Sequence, residues 1–488
     1  MVVLLIELAI TGVLVVFLLA KKGTLTTDAA ILLTCGTIFG HAFYSVAVGP
    51  LPLTFPRLWT GWIFARWLWD YARGRHALSR WGVAEIGLYG FLLFIAVQLS
   101  QTHWQYNEKK PLAFFLFFLL LPASVYFALS NSRISIAELK KFRWIIVAFG
   151  VYLAITAILE TKGPSALVFP RYIMSSEFPT YLGRARGPFL NPVANGVAMT
   201  MGIAAAASFW PVVQRRGKIA IAGYIGVAMI GVFLTYTRSC WAGAVLGLGG
   251  FILWHLPPRA RVATLCIGLV VGLPVLIKVK EFSSSFKRDK EVTVEQMEES
   301  AALRPLLARV AWEMIRNNPW TGVGYGQHAE HNQFYIQSAE TDLPIQKAAP
   351  YVQHNSVLSL MVETGVFGTS LFALFAFGSV ATALRVASNV SIPWEMRCVA
   401  WIQLAMLASM GFNSAWHDVL VEDGAFQIWT VLAGLTMAVQ RTTQEVPQAV
   451  TRRLSRPAGS DRLHARTPAA EGSPQKNAAW PGPRAALG

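Results

Sequence analysis

Residues 355–384 read NSVLSLMVETGVFGTSLFALFAFGSVATAL, and Glu363 is the one charged side chain among them. About 20 apolar residues are enough to cross a bilayer as a helix. The whole chain has the same character, since it is 54% hydrophobic and 14% charged with a mean hydropathy of +0.45, whereas roughly a quarter of an ordinary soluble domain is charged. These values exclude a soluble enzyme and predict an all-α polytopic membrane protein.

Similar apolar runs precede and follow this stretch. The candidate spans lie near 2–20, 29–49, 57–72, 82–100, 111–130, 143–160, 193–210, 218–237, 239–256, 262–278, 355–384, 397–417 and 424–440. The first is not predicted to be a signal peptide, because it lacks a basic start and a small-residue cleavage site. Arg66 and Asp70 interrupt the third, which would alternatively lie along the membrane interface. The sequence therefore predicts 12 or 13 spans.

Positive charge alternates between the short loops on the two sides. One side carries Lys21, Lys22, Arg73, Arg75, Arg80, Arg133, Lys140, Lys141, Arg143, Arg215, Arg216, Lys218, Arg259, Arg261, Arg385 and Arg397, and the other carries little beyond Lys109 and Lys110. Because lysine and arginine collect in cytoplasmic loops, the first side is predicted to be cytoplasmic. The net charge of +16 then reflects membrane topology, and no nucleic-acid partner is expected.

This orientation divides the chain into membrane segments and loops. The predicted parts are N-terminal transmembrane helices (1–160), an outer loop (161–192), further transmembrane helices (193–278), a large outer loop (279–354), C-terminal transmembrane helices (355–440) and a disordered basic cytoplasmic tail (441–488). The large loop combines an amphipathic helical stretch, Ser300 to Asn317, with the turn-rich NNPWTGVGYG. We expect it to fold as a structured lid against the outer face.

Polar residues collect at the predicted outer ends of the spans. Arg238 opens SCWAGAVLGLGG, whose small residues allow close helix packing; an interfacial anchor is the alternative. His354 and Asn355 begin the run that re-enters the membrane, where a hydrogen-bonded helix-entry histidine is the alternative. Glu363 lies deeper, and an acidic residue inside a span is functional or paired by default.

The large loop adds further candidates. Arg304 and Arg309 lie on its predicted helix, which alternatively presents only a solvated charged face. His328 and His331 have metal-capable rings three residues apart, but third and fourth ligands are not evident, so no metal site is predicted.

Three segments stand in a recognisable order: TYTRSCWAGAVLGL (235–248), RPLLARVAWEMIRNNPWTGVGYGQ (304–327) and HNSVLSLMVETGVFG (354–368). Together they resemble the O-antigen ligase and O-antigen polymerase family of bacterial membrane glycosyltransferases, and RGPFLNPVANG (186–196) resembles a weaker family segment. The family's loop helix carries a Trp four residues after its leading Arg, where this chain has Ala308, and we expect Trp312 to take over its packing. The leading Arg corresponds to Arg304, with Arg309 as the alternative.

The resemblance implies a glycosyltransferase-C-like bundle in the bacterial inner membrane with its active face in the periplasm. The family moves a glycan from undecaprenyl diphosphate to an acceptor hydroxyl, without a cofactor or metal. By resemblance, Arg238 and Arg304 would stabilise the diphosphate, because guanidinium groups match phosphate oxygens. His354 would orient or deprotonate the acceptor hydroxyl. The further substrate-binding candidates are Arg186, Arg309, Asn355 and Glu363.

The expected partners are this lipid-linked donor, a glycan or lipid-core acceptor, and membrane lipids. The sequence does not separate a ligase of lipopolysaccharide biosynthesis from an O-antigen or exopolysaccharide polymerase, or from transfer to protein, because all use the same donor. A membrane transporter is the alternative from another class, but charged pairs or broken helices near the membrane midplane would then be expected. A non-catalytic scaffold would not explain the three segments.

Overall fold

The computed structural model describes residues 23–48, 51–101, 111–277, 294–338, 355–419 and 424–454. Its helices are α1 (Leu25–Ile38), α2 (Phe55–Ala72), α3 (Val83–Gln101), α4 (Pro111–Ser130), α5 (Ile136–Lys162), α6 (Pro192–Ala207), α7 (Arg215–Phe233), α8 (Arg238–His255), α9 (Pro258–Ile277), α10 (Val294–Asn317), α11 (His328–Ser338), α12 (Ser356–Ser388), α13 (Trp394–Ser414) and α14 (Ala425–Leu454). Strands β1 (Val46–Val48) and β2 (Leu51–Leu53) form a small antiparallel hairpin.

The predicted fold class is confirmed: the chain is an all-α polytopic membrane protein. By length and apolar composition, five of the described helices could cross a membrane, namely α3, α4, α5, α7 and α12. The candidate span 2–20 lies outside the described residues, and each of the other candidate spans overlaps a helix. The exact number of spans stays a prediction.

Helices α3 and α12 pack against each other in opposite directions along most of their length. A Cβ atom added at Gly87 would lie 2.4 Å from Phe375 N, and one added at Gly378 would lie 2.7 Å from Ala84 N. The two backbones are therefore in direct contact, as small residues allow in membrane helix pairs. Further along α3, Gln98 Nε2 lies 3.3 Å from the carbonyl oxygen of Glu363.

Helices α8 and α13 form a second close antiparallel pair. A Cβ atom at Gly247 would lie 2.6 Å from Ala405 O, and Cys240 Sγ lies 3.5 Å from Asn413 Oδ1. The start of α8 therefore adjoins the end of α13. We call this end of the bundle the site end, because it carries most of the candidate residues; α12 begins there as well, since Asn355 Nδ2 donates to Ala415 O at 3.0 Å.

A buried ion pair closes the opposite end of the bundle. Glu85, which is 1% exposed, accepts hydrogen bonds from Arg441 (2.8 Å) and Tyr126 (3.0 Å). Arg441 also donates to Ser130 O at 2.7 Å. Residues 441–454, predicted to begin the basic tail, continue α14 as far as Leu454.

Elongation of an existing helix adds one hydrogen bond per ordered residue, so the helix continues past the end of its apolar run although Pro447 disfavours it. Residues 455–488 lie outside the described residues.

The second and third candidate spans form a helical hairpin that differs from the prediction. Helix α1 ends at Ile38 instead of continuing to residue 49, and Gly40 follows its last turn. Arg66 of α2 pairs with Asp28 of α1 at 2.8 Å and lies 4.0 Å from Asp70. The charges that interrupt the third span are thus paired within the α1–α2 hairpin, which offsets their burial.

The large loop builds a small hydrophobic core of its own against α12. This core consists of Leu306, Leu307, Val310, Ala311, Met314, Ile315, Ile336 and Val362. The predicted helix over Ser300 to Asn317 is confirmed as part of α10. The expectation that Trp312 would pack is wrong, because Trp312 is 56% exposed and the opposite face of α10 faces the core.

Candidate active site

Helix α12 is broken at Gly365, which has φ 60° and ψ −165°. The loop PWTGVG (319–324), here called the PWTGVG loop, lies against both sides of the break and replaces the missing helical hydrogen bonds. Four backbone hydrogen bonds join them: Val323 N to Val362 O (2.8 Å), Gly324 N to Glu363 O (3.1 Å), Val366 N to Pro319 O (2.8 Å) and Phe367 N to Trp320 O (3.1 Å). The break is therefore held by the large loop.

Two glycines allow this contact. A Cβ atom at Gly365 would lie 2.4 Å from Trp320 O, and one at Gly322 would lie 2.5 Å from Val362 O. Both residues also have positive φ, which disfavours other residue types. On the bundle side, Gln98 Nε2 donates to Thr321 O at 2.6 Å. The absence of a side chain at Gly322 and Gly365 thus lets the backbones of the loop and the helix come into contact.

The break places Glu363 beside a buried tyrosine. Tyr325 is buried, and its burial raises the pKa of its phenol, with the nearby carboxylates of Glu363 and Asp418 raising it further. These three side chains therefore share one electrostatic environment although they come from three separate segments. At neutral pH the phenol keeps its proton and remains a hydrogen-bond donor.

The turn after α13, residues 415–419, is the junction of the candidate site. Asn355 caps α12 by accepting hydrogen bonds from Val357 N and Leu358 N, while its amide nitrogen binds Ala415 O. Ser356 Oγ bridges the same turn, because it donates to His417 O (3.0 Å) and accepts from Val419 N (2.9 Å). The start of α12 is therefore fixed to the 415–419 turn at three points.

Arg304 approaches the same turn from the large loop. Its guanidinium carbon lies 5.9 Å from the centroid of the Trp416 ring, within the range of a cation–π interaction. The side chain is half-buried. The structure thus brings Arg304 and Asn355, predicted from separate motifs, to one turn.

Arg238 is at the start of a third element, α8, which adjoins the end of α13 just before this turn. It is the first residue of α8 and is exposed. Two residues later, Cys240 contacts Asn413 in the last turn of α13, which leads directly into the 415–419 turn. The N-cap residue Thr237 makes no side-chain capping bond among the described residues. The partial positive charge of the helix N-terminus therefore adds to that of Arg238.

Arg184 joins this group, although the sequence analysis did not single it out. Its guanidinium donates to Thr235 O at 3.0 Å and to Thr237 Oγ1, next to Arg238. It is buried, at 7% exposure. The one available signal was its position in RARG, two residues before the predicted Arg186.

Arg186 itself binds within the 163–191 loop. It is fully buried and donates to the carbonyl oxygens of Ile173 (2.7 Å), Thr180 (2.6 Å) and Phe178. Its Nε lies 3.7 Å from Glu160 Oε1, and burial lowers the pKa of the guanidinium. This placement favours a structural role for Arg186 in holding the 163–191 loop together.

The remaining predicted residues have different positions. His354 lies outside the described residues. Arg309 is exposed on α10 and forms an ion pair with Glu313 at 2.8 Å, four residues along the helix. His331 Nδ1 lies 3.1 Å from Gln327 O. Within the described ranges, no three His, Cys, Asp or Glu side chains lie together as a metal-binding group.

Trp416, His417 and Asp418 were not predicted from the sequence either. Their sequence signal is a polar His-Asp pair at the predicted outer boundary of span 397–417, similar to the His-Asn pair at the start of α12.

Residues 222–373 match the family model described as O-Antigen ligase. The chain contains an O-antigen ligase family domain. This O-antigen ligase domain extends from α7 into α12 and includes Arg238, Arg304, the PWTGVG loop and the break at Gly365. Arg184 and the 415–419 turn lie outside the matched residues, yet both contact the domain. No curated protein was found to match the chain.

Proposed function

We propose that this O-antigen ligase family protein moves a glycan from undecaprenyl diphosphate to an acceptor hydroxyl at the periplasmic face of the bacterial inner membrane. One observation carries the proposal. The 415–419 turn contacts Asn355 by a hydrogen bond and Arg304 through the Trp416 ring, and Asn413, in the last turn of α13 just before it, contacts the start of α8. Three separate family segments thereby have contacts at or next to one turn at the site end.

The positive charges suit a lipid diphosphate donor. Arg238 and Arg304 come from different elements, and the N-terminus of α8 adds partial positive charge. Guanidinium groups form charge-assisted, bidentate hydrogen bonds with phosphate oxygens. In the proposed reaction the acceptor oxygen attacks the anomeric carbon, and the bond from that carbon to the diphosphate oxygen breaks. The leaving diphosphate takes the electron pair, and the arginines stabilise its charge.

The proton of the acceptor hydroxyl requires a base. We assign this role to His354, because an imidazole titrates near neutral pH and because the following residue, Asn355, is anchored at the 415–419 turn. The carboxylates of Glu363 and Asp418 both raise the pKa of the Tyr325 phenol. We infer that they position the base or a loop arginine by charge, and Glu363 is therefore proposed as a positioning residue.

The environment of the break favours an enzyme over a transporter. In transporters with broken helices, unwound backbone groups near the midplane coordinate ions or substrate. Here the break lies in the first third of α12, and the PWTGVG loop occupies the backbone groups on both of its sides.

The decisive experiment is a transfer assay with the full chain in nanodiscs. An undecaprenyl-diphosphate glycan is supplied with either a lipid-core acceptor or a glycan acceptor, and the product distinguishes a ligase from a polymerase. Arg238→Ala, Arg304→Ala and His354→Ala should each lower turnover by about 100-fold or more, as loss of one transition-state contact does. Arg309→Ala is the matched control on the same helix as Arg304 and should retain turnover. Normal turnover in the Arg304 variant, or none in the folded wild type, would contradict the proposal.

The proposed orientation has its own test. Trp320 is exposed in the PWTGVG loop, so Trp320→Cys should react with a membrane-impermeant maleimide added to intact cells with a permeable outer membrane. Labelling only after the inner membrane is opened would place this loop in the cytoplasm and refute the proposed periplasmic face.

A further inference from the structure

A cavity of about 130 Å³ opens at the site end, between α1, α2, α4, the start of α14 and the 163–191 loop. All of its lining residues lie outside the matched segment 222–373. Its polar and aromatic lining includes Thr37, Thr54, Arg57, Thr60, Phe117 and Gln427. Its wall is fixed by Tyr172, whose hydroxyl bonds both Ile38 O (3.0 Å) and Pro188 O (3.1 Å).

Arg57 gives the cavity its positive charge. The guanidinium stacks on the Phe117 ring, 3.3 Å from its centroid, and donates to Pro52 O. Stacking fixes the plane of the guanidinium, since a cation prefers the face of an aromatic ring. No Asp or Glu occurs among the described residues that line the cavity. The site therefore favours an anion.

The ring that orients Arg57 belongs to a π-helical stretch of α4, Phe115–Leu120. Leu121 N donates to Leu116 O, five residues back. Pro122 follows, and it has no N–H group for the normal helical bond to Phe118 O. The proline thus explains the wider turn, and such turns are frequent at functional sites.

Two helix starts reinforce the same charge preference. The first turn of α2 contributes Thr54 and Arg57, and the first turn of α14 contributes Phe426 and Gln427. Backbone N–H groups at helix N-termini carry partial positive charge and bind anions. The hydroxyl of Thr60 and the amide of Gln427 add neutral groups able to donate hydrogen bonds.

We propose that this cavity binds a phosphate group, separately from the diphosphate of the proposed transfer reaction. A cavity of about 130 Å³ has room for a phosphate group, since about 10–15 Å³ of such volume already holds one water. The same chemistry is carried by a phospholipid headgroup and by a soluble phosphate compound. Arg57 is the residue that selects the anion.

The test measures how accessible the cavity is to a labelling reagent, so its result does not depend on glycan turnover. Gln427→Cys is introduced into the full chain after Cys35 and Cys266, the two native cysteines that are not buried, are replaced by Ser. The rate of maleimide labelling at position 427 is measured in phosphatidylcholine nanodiscs, with added inorganic pyrophosphate in one arm and with phosphatidylglycerol in the membrane in the other. Arg57→Gln removes the positive charge and Arg57→Lys keeps it. The control, Arg171→Gln, removes an exposed arginine that precedes the lining residue Tyr172 but does not itself line the cavity.

We expect at least one phosphate source to slow labelling severalfold, and the arm that does so identifies the source. Arg57→Gln should raise the concentration needed for half-protection by about tenfold, the size of one charge-assisted hydrogen bond. Arg57→Lys should retain part of the protection, and Arg171→Gln should retain all of it. Absence of protection in both arms, or equal protection in the Arg57→Gln protein, would overturn the proposal. Loss of glycan transfer in the Arg304 variant would leave this result unchanged, so the two proposals fail separately.

Discussion

Replacing Gly365 by Ala should separate the PWTGVG loop from α12. The added Cβ would lie 2.4 Å from the carbonyl carbon and oxygen of Trp320 and 2.6 Å from Gly322 N, so backbone atoms must move. An unfavourable backbone conformation for a non-glycine residue costs about 1–3 kcal/mol, and overpacking costs about 1–3 kcal/mol more. The junction should therefore lose about 2–6 kcal/mol of stability.

Hydrogen exchange measures this loss at the site of the change. The amides of Val323 and Gly324 in the loop, and of Val366 and Phe367 in α12, are protected by the four junction hydrogen bonds. A loss of 2 kcal/mol corresponds to roughly 30-fold faster exchange through local opening, which is the smallest effect we expect at these amides.

Gly411→Ala is the matched control. Gly411 lies on α13 near the same end, and an added Cβ would meet nothing within 4 Å. Its exchange pattern at the junction should equal that of the wild type. If Gly365→Ala folds with the same helical content and these four amides exchange at the wild-type rate, the junction is not held as described.

Four further substitutions test individual contacts by thermal unfolding in detergent. Arg186→Gln should cost about 3–5 kcal/mol, because it removes one partner of a buried pair, whereas Arg309→Ala should cost under about 0.5 kcal/mol, because its ion pair is exposed; equal costs would contradict these placements. Asn355→Ala should cost about 1 kcal/mol through loss of the cap of α12, and no change would mean that the cap is dispensable. Glu85→Ala should destabilise by about 3–5 kcal/mol, because Arg441 loses its buried partner, and wild-type stability would refute that pairing.

Most of the helices could be predicted from the sequence because a local pattern of residues marks each of them. Long apolar runs predicted the spans, and the amphipathic stretch Ser300 to Asn317 predicted the main part of α10. The end of α1 at Ile38 was missed because the apolar character continues into the β1–β2 hairpin, so composition alone did not mark the helix end.

The break in α12 was not predicted, for a different reason. The residues around Gly365 have no local feature that excludes a continuous helix. The break depends on hydrogen bonds from the PWTGVG loop, which lies far away in the sequence. Glycines occur on both sides of the contact, but neither segment alone shows which distant segment it contacts.

In the candidate site, too, contacts between residues that are distant in sequence could not be predicted. Arg184 and Arg186 are two residues apart, and their separate roles depend on which carbonyl oxygen each one reaches, Thr235 O for Arg184 and Ile173 O for Arg186. The 415–419 turn was missed because its contacts with Asn355 and Arg304 join distant parts of the chain. Arg238 and Arg304 were found because their motifs resemble a known family, and spacing alone would not have paired them.

The small core of the large loop has a consequence for how the protein is made. Its residues on α10 and α11 are synthesised before Val362 of α12, the buried residue that completes the core. Until α12 leaves the ribosome, the apolar face of α10 has no partner from the membrane bundle. The early products of translation therefore expose Leu306, Leu307 and Met314, and chains that stop before α12 should depend on chaperones or be degraded by quality-control proteases.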